Sequence, residues 1–213
     1  MKITKYGQCC LLIEVNGKRI LTDPGRFTST QNDVTGVDII LITHEHADHL
    51  HIESLDAVTK NNPGAKIITN TEVGKILKEK KISHEVLEGR SSSEIEGIML
   101  EAYDGKHAKI DGEFGLVQNT GYFIAEELFY PGDAYTEPGK EVSLLALPAG
   151  GPWFKSADAL AYARAVKPKR AFPVHDWMFN KDGLAAVYGM FENRLRESGI
   201  TFIRLTNGET KEF

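Results

Sequence analysis

Directly after the apolar run Val37-Asp38-Ile39-Ile40-Leu41-Ile42, the chain reads Thr43-His44-Glu45-His46-Ala47-Asp48-His49-Leu50-His51, with four histidines and two carboxylates in eight residues. A short, nearly continuous apolar run is the pattern of a strand buried on both faces of a sheet. Core packing does not explain the titratable cluster at its end, because histidine is only intermediate in burial and carboxylates are rarely buried unpaired. Loops at strand ends are where a scaffold displays reactive groups. In extended backbone, His44 and His46 project to one side and Glu45 to the other. Asp48 and His49, carried around a tighter bend, can face a second ion roughly 3.5–4 Å from the first. The fold must therefore bring a buried strand to an edge where one loop begins two cation positions.

The rest of the chain supplies a frame for such an edge. Leu11 to Val15 and Lys18 to Leu21 flank Asn16-Gly17, a type I′ turn signal, so Cys9 to Thr22 reads as a hairpin that stops at Asp23-Pro24-Gly25. After the cluster come a helix over about Ile52 to Lys60, a strand Lys66 to Thr69 and an amphipathic helix Glu72 to Lys80. The second half repeats this order in outline: a hairpin over Gly121 to Tyr130, the apolar strand Ser143 to Leu147, a helix Ala157 to Val166 with Ser156 as its cap, and the strand Arg170 to Val174. Leu184, Tyr188, Phe191 and Leu195 mark the core stripe of a last long helix that stops at Gly199. Two half-units, each too small to bury its own sheet, imply an α/β fold over residues 1–213 as a single domain of paired sheets with helices outside. Hydrophobic residues make up 41% of the 213, enough for a core of normal size. Cys9 and Cys10 are adjacent, so they cannot staple distant segments; in a strand they would point to opposite faces as packed thiols.

Further donors sit where later strands give way to loops. His107 follows the apolar stretch Ile98 to Ala102 and Tyr103-Asp104-Gly105-Lys106; Asp133 lies in a Gly132-Asp133 turn; His175 closes Ala171-Phe172-Pro173-Val174. Any one of these alone would be an ordinary structural residue. Beside the first cluster they complete a nitrogen and oxygen donor set with no thiolate, suited to Zn²⁺, Mn²⁺ or Fe²⁺, with zinc the first expectation.

The ordered series Asp23, His44-x-His46-x-Asp48-His49, His107, Gly132-Asp133 and His175 resembles the metallo-β-lactamase superfamily of metal-dependent hydrolases. The resemblance implies a four-layer αββα sandwich with two metals at the sheet edge. It also implies that one ion is held by His44, His46 and His107, the other by Asp48, His49 and His175, with Asp133 bridging them. Asp23 matches the family's early aspartate and is expected to hold the ligand loop by hydrogen bonds rather than to ligate. The stretch Leu147 to Trp153, with Lys167-Pro168-Lys169 beyond, is similar to a compact group that includes L-ascorbate-6-phosphate lactonase-like proteins. Oxygen-reducing members of the superfamily carry a glutamate where this chain has His46, which argues against redox chemistry.

The expected reaction is hydrolysis of a small ester, lactone or phosphoester by a metal-bound hydroxide, with Asp48 orienting that hydroxide or taking its proton. Alternatives are a phosphodiesterase acting on a lipid or nucleotide, or a non-catalytic metal-binding scaffold. Two divalent ions against two carboxylates leave a surplus of about +2, which favours an anionic small-molecule substrate. Trp153, Phe154, Lys155, Trp177 and Phe179 are candidates for an apolar mouth with one cation; Lys106, His51 and Glu45 read as solvated or turned away. A net charge of −5 argues against nucleic acid as a partner. The beginning of the chain has no apolar signal-peptide core and no run is long enough to span a bilayer, so no membrane association and a cytoplasmic location are expected.

Overall fold

Burial alternates along the strands and sorts their side chains between two faces. Cys9, Leu11, Ile13, Ile39 and Leu41 belong to one buried cluster, whereas Cys10, Leu12, Ile40 and Ile42 belong to another. That period of two is what extended backbone imposes, and both faces of these strands are covered. The computed structural model describes residues 1–213.

The first sheet has seven strands: β1 (Lys2–Gly7), β2 (Cys10–Val15), β3 (Lys18–Thr22), β4 (Ile39–Leu41), β5 (Lys66–Thr69) and β6 (Glu85–Val86), with the last strand of the chain at its edge. The second also has seven: β7 (Ser92–Ile95), β8 (Ile98–Lys106), β9 (Gln118–Ile124), β10 (Leu128–Tyr130), β11 (Leu144–Pro148), β12 (Arg170–Val174) and β13 (Thr201–Phe202). The final strand, β14 (Thr210–Glu212), pairs antiparallel with β1, giving the order β14-β1-β2-β3-β4-β5-β6. The second sheet runs β13-β12-β11-β10-β9-β8-β7. Each is antiparallel over one half and parallel over the other.

Twenty-two buried residues, nearly all from the two sheets, pack between them, Tyr122, Tyr130, Phe172, Ile13 and Leu41 among them. Helices α1 (Ile52–Asn61) and α2 (Thr71–Glu79) cover the outer face of the first sheet through Leu55, Val58, Val73 and Leu77. Helices α3 (Ser156–Val166) and α4 (Lys181–Arg196) cover the second through Ala159, Ala163, Tyr188 and Phe191. The architecture is the expected αββα sandwich.

Local departures have local causes. The Asn16-Gly17 turn forms as read, with both residues at positive φ (51° and 76°) between Val15 and Lys18. Asn70, not a residue within α2, caps that helix by accepting from the Val73 amide. Ser156 is the first residue of α3; Lys155 occupies the cap position and makes no capping bond, so the expected serine cap is absent. The last long helix ends at Arg196, before Gly199. Strand β8 continues through Tyr103-Asp104-Gly105-Lys106, where a loop was expected, because this polar stretch pairs with β9 as far as Lys106 with Gln118. No helix is long and apolar enough to cross a membrane.

Candidate metal centre

Strands β3, β4, β8, β10 and β12 all end at one rim of the sandwich. Two or three residues beyond β4 the chain reaches Thr43 and His44; His107 follows β8, Asp133 follows β10, and His175 follows β12. Crevices outside the carboxyl ends of parallel strands are where α/β sheets bind ligands. The seven expected donors, five histidines and two aspartates, come together there in two groups: His44, His46 and His107, then Asp48, His49, Asp133 and His175. Within each group the donor atoms lie within 4.8 Å of one another.

Asp133 stands between the groups. Its Oδ1 is 3.1 Å from His49 Nε2; its Oδ2 is 2.8 Å from His175 Nε2, 3.3 Å from His107 Nε2 and 3.9 Å from His44 Nε2. Asp48 Oδ2 lies 3.2 Å from His175 Nε2 and 3.5 Å from His49 Nε2. His44, His49, His107, Asp133 and His175 are buried, while His46 and Asp48 reach partly into solvent.

Donors arranged for one another as hydrogen-bond partners would leave nothing unsatisfied. Instead His44 Nε2, His49 Nε2, Asp133 Oδ1 and both ring nitrogens of His175 are buried without a well-directed hydrogen bond, although His175 Nε2 and His49 Nε2 lie only 2.8 and 3.1 Å from the Asp133 oxygens. These are five of the nine such side-chain atoms in the protein, so the deficit is concentrated here. Lone pairs facing inward on a shared space fit a cation, and the histidine tautomers agree. Thr43 Oγ1 donates to Asp23 Oδ2 at 2.8 Å, so it accepts from His44 Nδ1 at 3.0 Å. His49 Nδ1 donates to Asp23 Oδ2 at 2.7 Å, and His107 Nδ1 to the Ala108 carbonyl at 2.6 Å. Each ring is thus protonated on its outer nitrogen, with Nε2 left to ligate.

Burial, reinforced by the neighbouring His49, holds the His44 imidazolium well below its ordinary range. Burial also opposes charge on His49 and His175, yet Asp133 above all raises both: His49 well above the ordinary histidine value and His175 to about 9. Asp48 and Asp133 go the opposite way. Burial works against their ionisation but is outweighed by the adjacent histidines, so both carboxylates are held well below their usual range. The centre carries fixed negative charge that only protons or cations can balance.

Close packing keeps this arrangement rigid. Asp23 is fully buried at φ 37°, accepts from the Thr43 amide through Oδ1, and takes a further hydrogen bond from Tyr130 on Oδ2. A methyl group on Gly25 would sit 1.8 Å from the Asp48 carbonyl oxygen, so only glycine lets these two loops meet. His175 itself is at φ 59°, a conformation kept only where the surroundings enforce it.

The candidate substrate residues divide. Trp153 is buried, and its Nε1–H donates to Asp133 Oδ2 at 3.1 Å, so it supports the centre rather than lining a mouth. Lys155 lines an adjoining depression with Lys109, Tyr135 and Asp158, which shares Ile110 and Pro152 with the cavity over the centre. Lys106 opens onto yet another surface. Trp177 does flank the centre, stacked on Phe27 with ring centroids 3.9 Å apart. Glu45, expected to turn away, reaches the rim of the same cavity. His51 occupies the cap position just before α1, paired with Ser54 and Glu53, and is half-buried rather than a free loop residue.

Gln8 was missed. Its side chain donates to Asp48 Oδ2 at 2.9 Å, and its carbonyl accepts from the His175 amide at 3.1 Å. Nothing in an isolated glutamine before Cys9-Cys10 marks it; only its φ of 51° in the folded chain does.

Known proteins agree with this geometry. Residues 2–175 match the β-lactamase superfamily domain, a span that ends on the last of the converging donors. Protein Rv0786c of Mycobacterium tuberculosis is 34% identical over 215 residues, covering 95% of this chain and 100% of that one. A UPF0173 metal-dependent hydrolase of Pyrococcus horikoshii is 26% identical over 193 residues, 82% of this chain and 84% of that one. Among solved structures, Igni18, a metallo hydrolase from the archaeon Ignicoccus hospitalis, superposes with a TM-score of 0.78 at 19% identity, over 100% of this chain and 98% of its own. The chain therefore belongs to the metallo-β-lactamase superfamily, among its metal-dependent hydrolases.

Proposed function

We propose that this protein hydrolyses a small substrate at a centre of two divalent cations, zinc first among them, with His44, His46 and His107 holding one and Asp48, His49 and His175 the other. Asp133, whose two oxygens face both groups, would be shared between them. The observation that carries this reading is the concentration of buried, unpartnered donor atoms on one enclosed space. Such a pair of cations supplies a water acidified to about neutral pH and a charge that polarises the scissile bond.

The chain's own residues do the rest. Asp23, through Thr43 and directly, keeps two imidazoles in the ligating tautomer. Trp153 and Gln8 each give a hydrogen bond to a carboxylate, which limits its rotation. Asp48 is the carboxylate that reaches the cavity, with its side chain 18% exposed, against 2% for Asp133. It is therefore placed to align the attacking water and to take up its proton. The cavity above, about 640 Å³, is of a size to admit a small molecule.

Metal-loaded protein assayed against a panel of lactones, carboxylic esters, phosphodiesters and β-lactams tests the reaction class. Asp48→Ala is expected to lose at least about a hundredfold in kcat, within the range for a general base. Full turnover with full metal content in that variant would remove Asp48 from the mechanism. A non-catalytic scaffold would instead show Asp133→Asn and His175→Ala changing melting temperature and metal content while no substrate on the panel is turned over by any form.

A further inference from the structure

Six large hydrophobic side chains are exposed on this protein, and four of them, Phe27, Phe114, Trp177 and Met178, line one cavity that opens over the candidate centre. Exposed apolar groups scattered singly are ordinary, but four gathered around one opening are not. Ile110, Val117 and Pro152 continue the same wall. Phe27 and Trp177 lie 40% and 43% exposed while stacked on each other, so the pair offers a flat face with an open side. None of the protein's lysines or arginines lines this cavity. Arg26, the nearest along the chain, places its guanidinium 5.7 Å from the Phe27 ring centroid. The charged groups that do reach the lining are the carboxylates Glu45 and Asp48, beside His46 and His175. Bound cations would place positive charge at the floor, whereas Arg26, Lys109 and Lys155 stand outside the lining, so within the cavity itself an anionic substituent meets carboxylates and no basic side chain.

We infer that the cavity selects a neutral substrate carrying a flat apolar group, which lies against Phe27 and Trp177 while the scissile bond reaches the floor. This rests on the hydrolytic reading for its chemistry, and it replaces the anionic substrate expected from the charge of the ions alone. Glu45 acts as a specificity residue, repelling acyl chains that end in a negative charge.

The test compares para-nitrophenyl pentanoate with the para-nitrophenyl ester of a chain of equal length ending in a carboxylate, using zinc-loaded protein. The reacting group and leaving group are the same in both. The neutral ester is expected to have a kcat/KM at least about tenfold higher, and Glu45→Gln to narrow that ratio several-fold. Trp177→Ala is expected to raise KM for the neutral ester about tenfold, with a much smaller effect on kcat, and Trp177→Phe to restore most of the loss. Binding is read separately from quenching of tryptophan fluorescence by the nitroaromatic, which should saturate at lower concentration for the neutral ester and be much reduced in Trp177→Phe. Saturable quenching without turnover of either ester would sink the hydrolytic reading for esters while supporting the pocket. Equal or tighter binding of the anionic ester, or a Trp177→Ala protein with unaltered KM and quenching, would overturn the inference.

Discussion

One carboxylate oxygen, Asp23 Oδ2, accepts from Thr43, His49 and Tyr130, and through Thr43 it also fixes the tautomer of His44. Its effect on the centre is therefore exerted without touching a cation. Asp23→Asn would place an amide donor against at least one of these groups. Metal affinity is expected to fall about 10–100-fold, measured by competition with a chromophoric chelator, with the overall fold retained by circular dichroism. Gly151 is a second point of control. A methyl group there would come within 2.9 Å of His175 Cε1 and 3.1 Å of Trp153 Nε1, at a φ of 121° that side chains rarely adopt. Gly151→Ala should displace the His175 ring, and elemental analysis should then find less than the wild-type complement of metal. The seven candidate donors were legible in the sequence because four of them crowd the end of one buried strand, beside which the other three, at later strand ends, ceased to read as ordinary structural residues. Gln8 and the supporting role of Trp153 were not, since each depends on partners distant in the chain, 40 residues away for Gln8 and 20 for Trp153.

Among the elements, β1 does more than add a strand. Lys5, fully buried, donates to Asp176 Oδ2 at 2.6 Å and to the Pro173 carbonyl at 3.0 Å, while Tyr188 of α4 donates to the same carboxylate oxygen. A strand of the first sheet is thereby tied to the loop that carries His175 in the second. Lys5→Met leaves Asp176 buried without its cation, and is expected to cost about 3–5 kcal/mol in urea unfolding. Adding Asp176→Leu should recover a large part of that loss, because an apolar pair of similar volume replaces the ion pair. This strand escaped the sequence reading, as did β6, β7, β13 and β14. Lys2-Ile3-Thr4-Lys5-Tyr6 looks like a polar segment, and nothing local shows that one lysine points into the interior. The strands that were read, Ile39 to Leu41 and Leu144 to Leu147, are buried on both faces and carry their own signal.

At the scale of the whole molecule, His175 couples stability to pH. Its folded-state pKa lies at about 9 against an ordinary 6.5, with burial opposing the charge and Asp133 and Asp48 overriding it. In protein stripped of metal this group contributes stability that is complete below pH 6.5 and lost as pH rises through about 9. Metal binding requires the deprotonated ring, so affinity should strengthen across that same window. The gap in melting temperature between zinc-loaded and metal-free protein should widen from pH 6.5 to 9. A gap that stays constant would show that His175 neither holds the proton nor exchanges it for a cation.

The walls of the cavity come from four short stretches, around Phe27, Ile110 to Val117, Pro152 and Trp177, whereas its floor hangs from strand ends locked by Asp23, Asn119 and Gln8. Apolar side chains such as Phe27, Phe114 and Met178 can change on the walls without removing a hydrogen bond of the floor. A lineage built this way can exchange what it recognises by redrawing a few surface turns while inheriting its reactive base intact, which is how a single ancestor could give rise to enzymes with unlike diets.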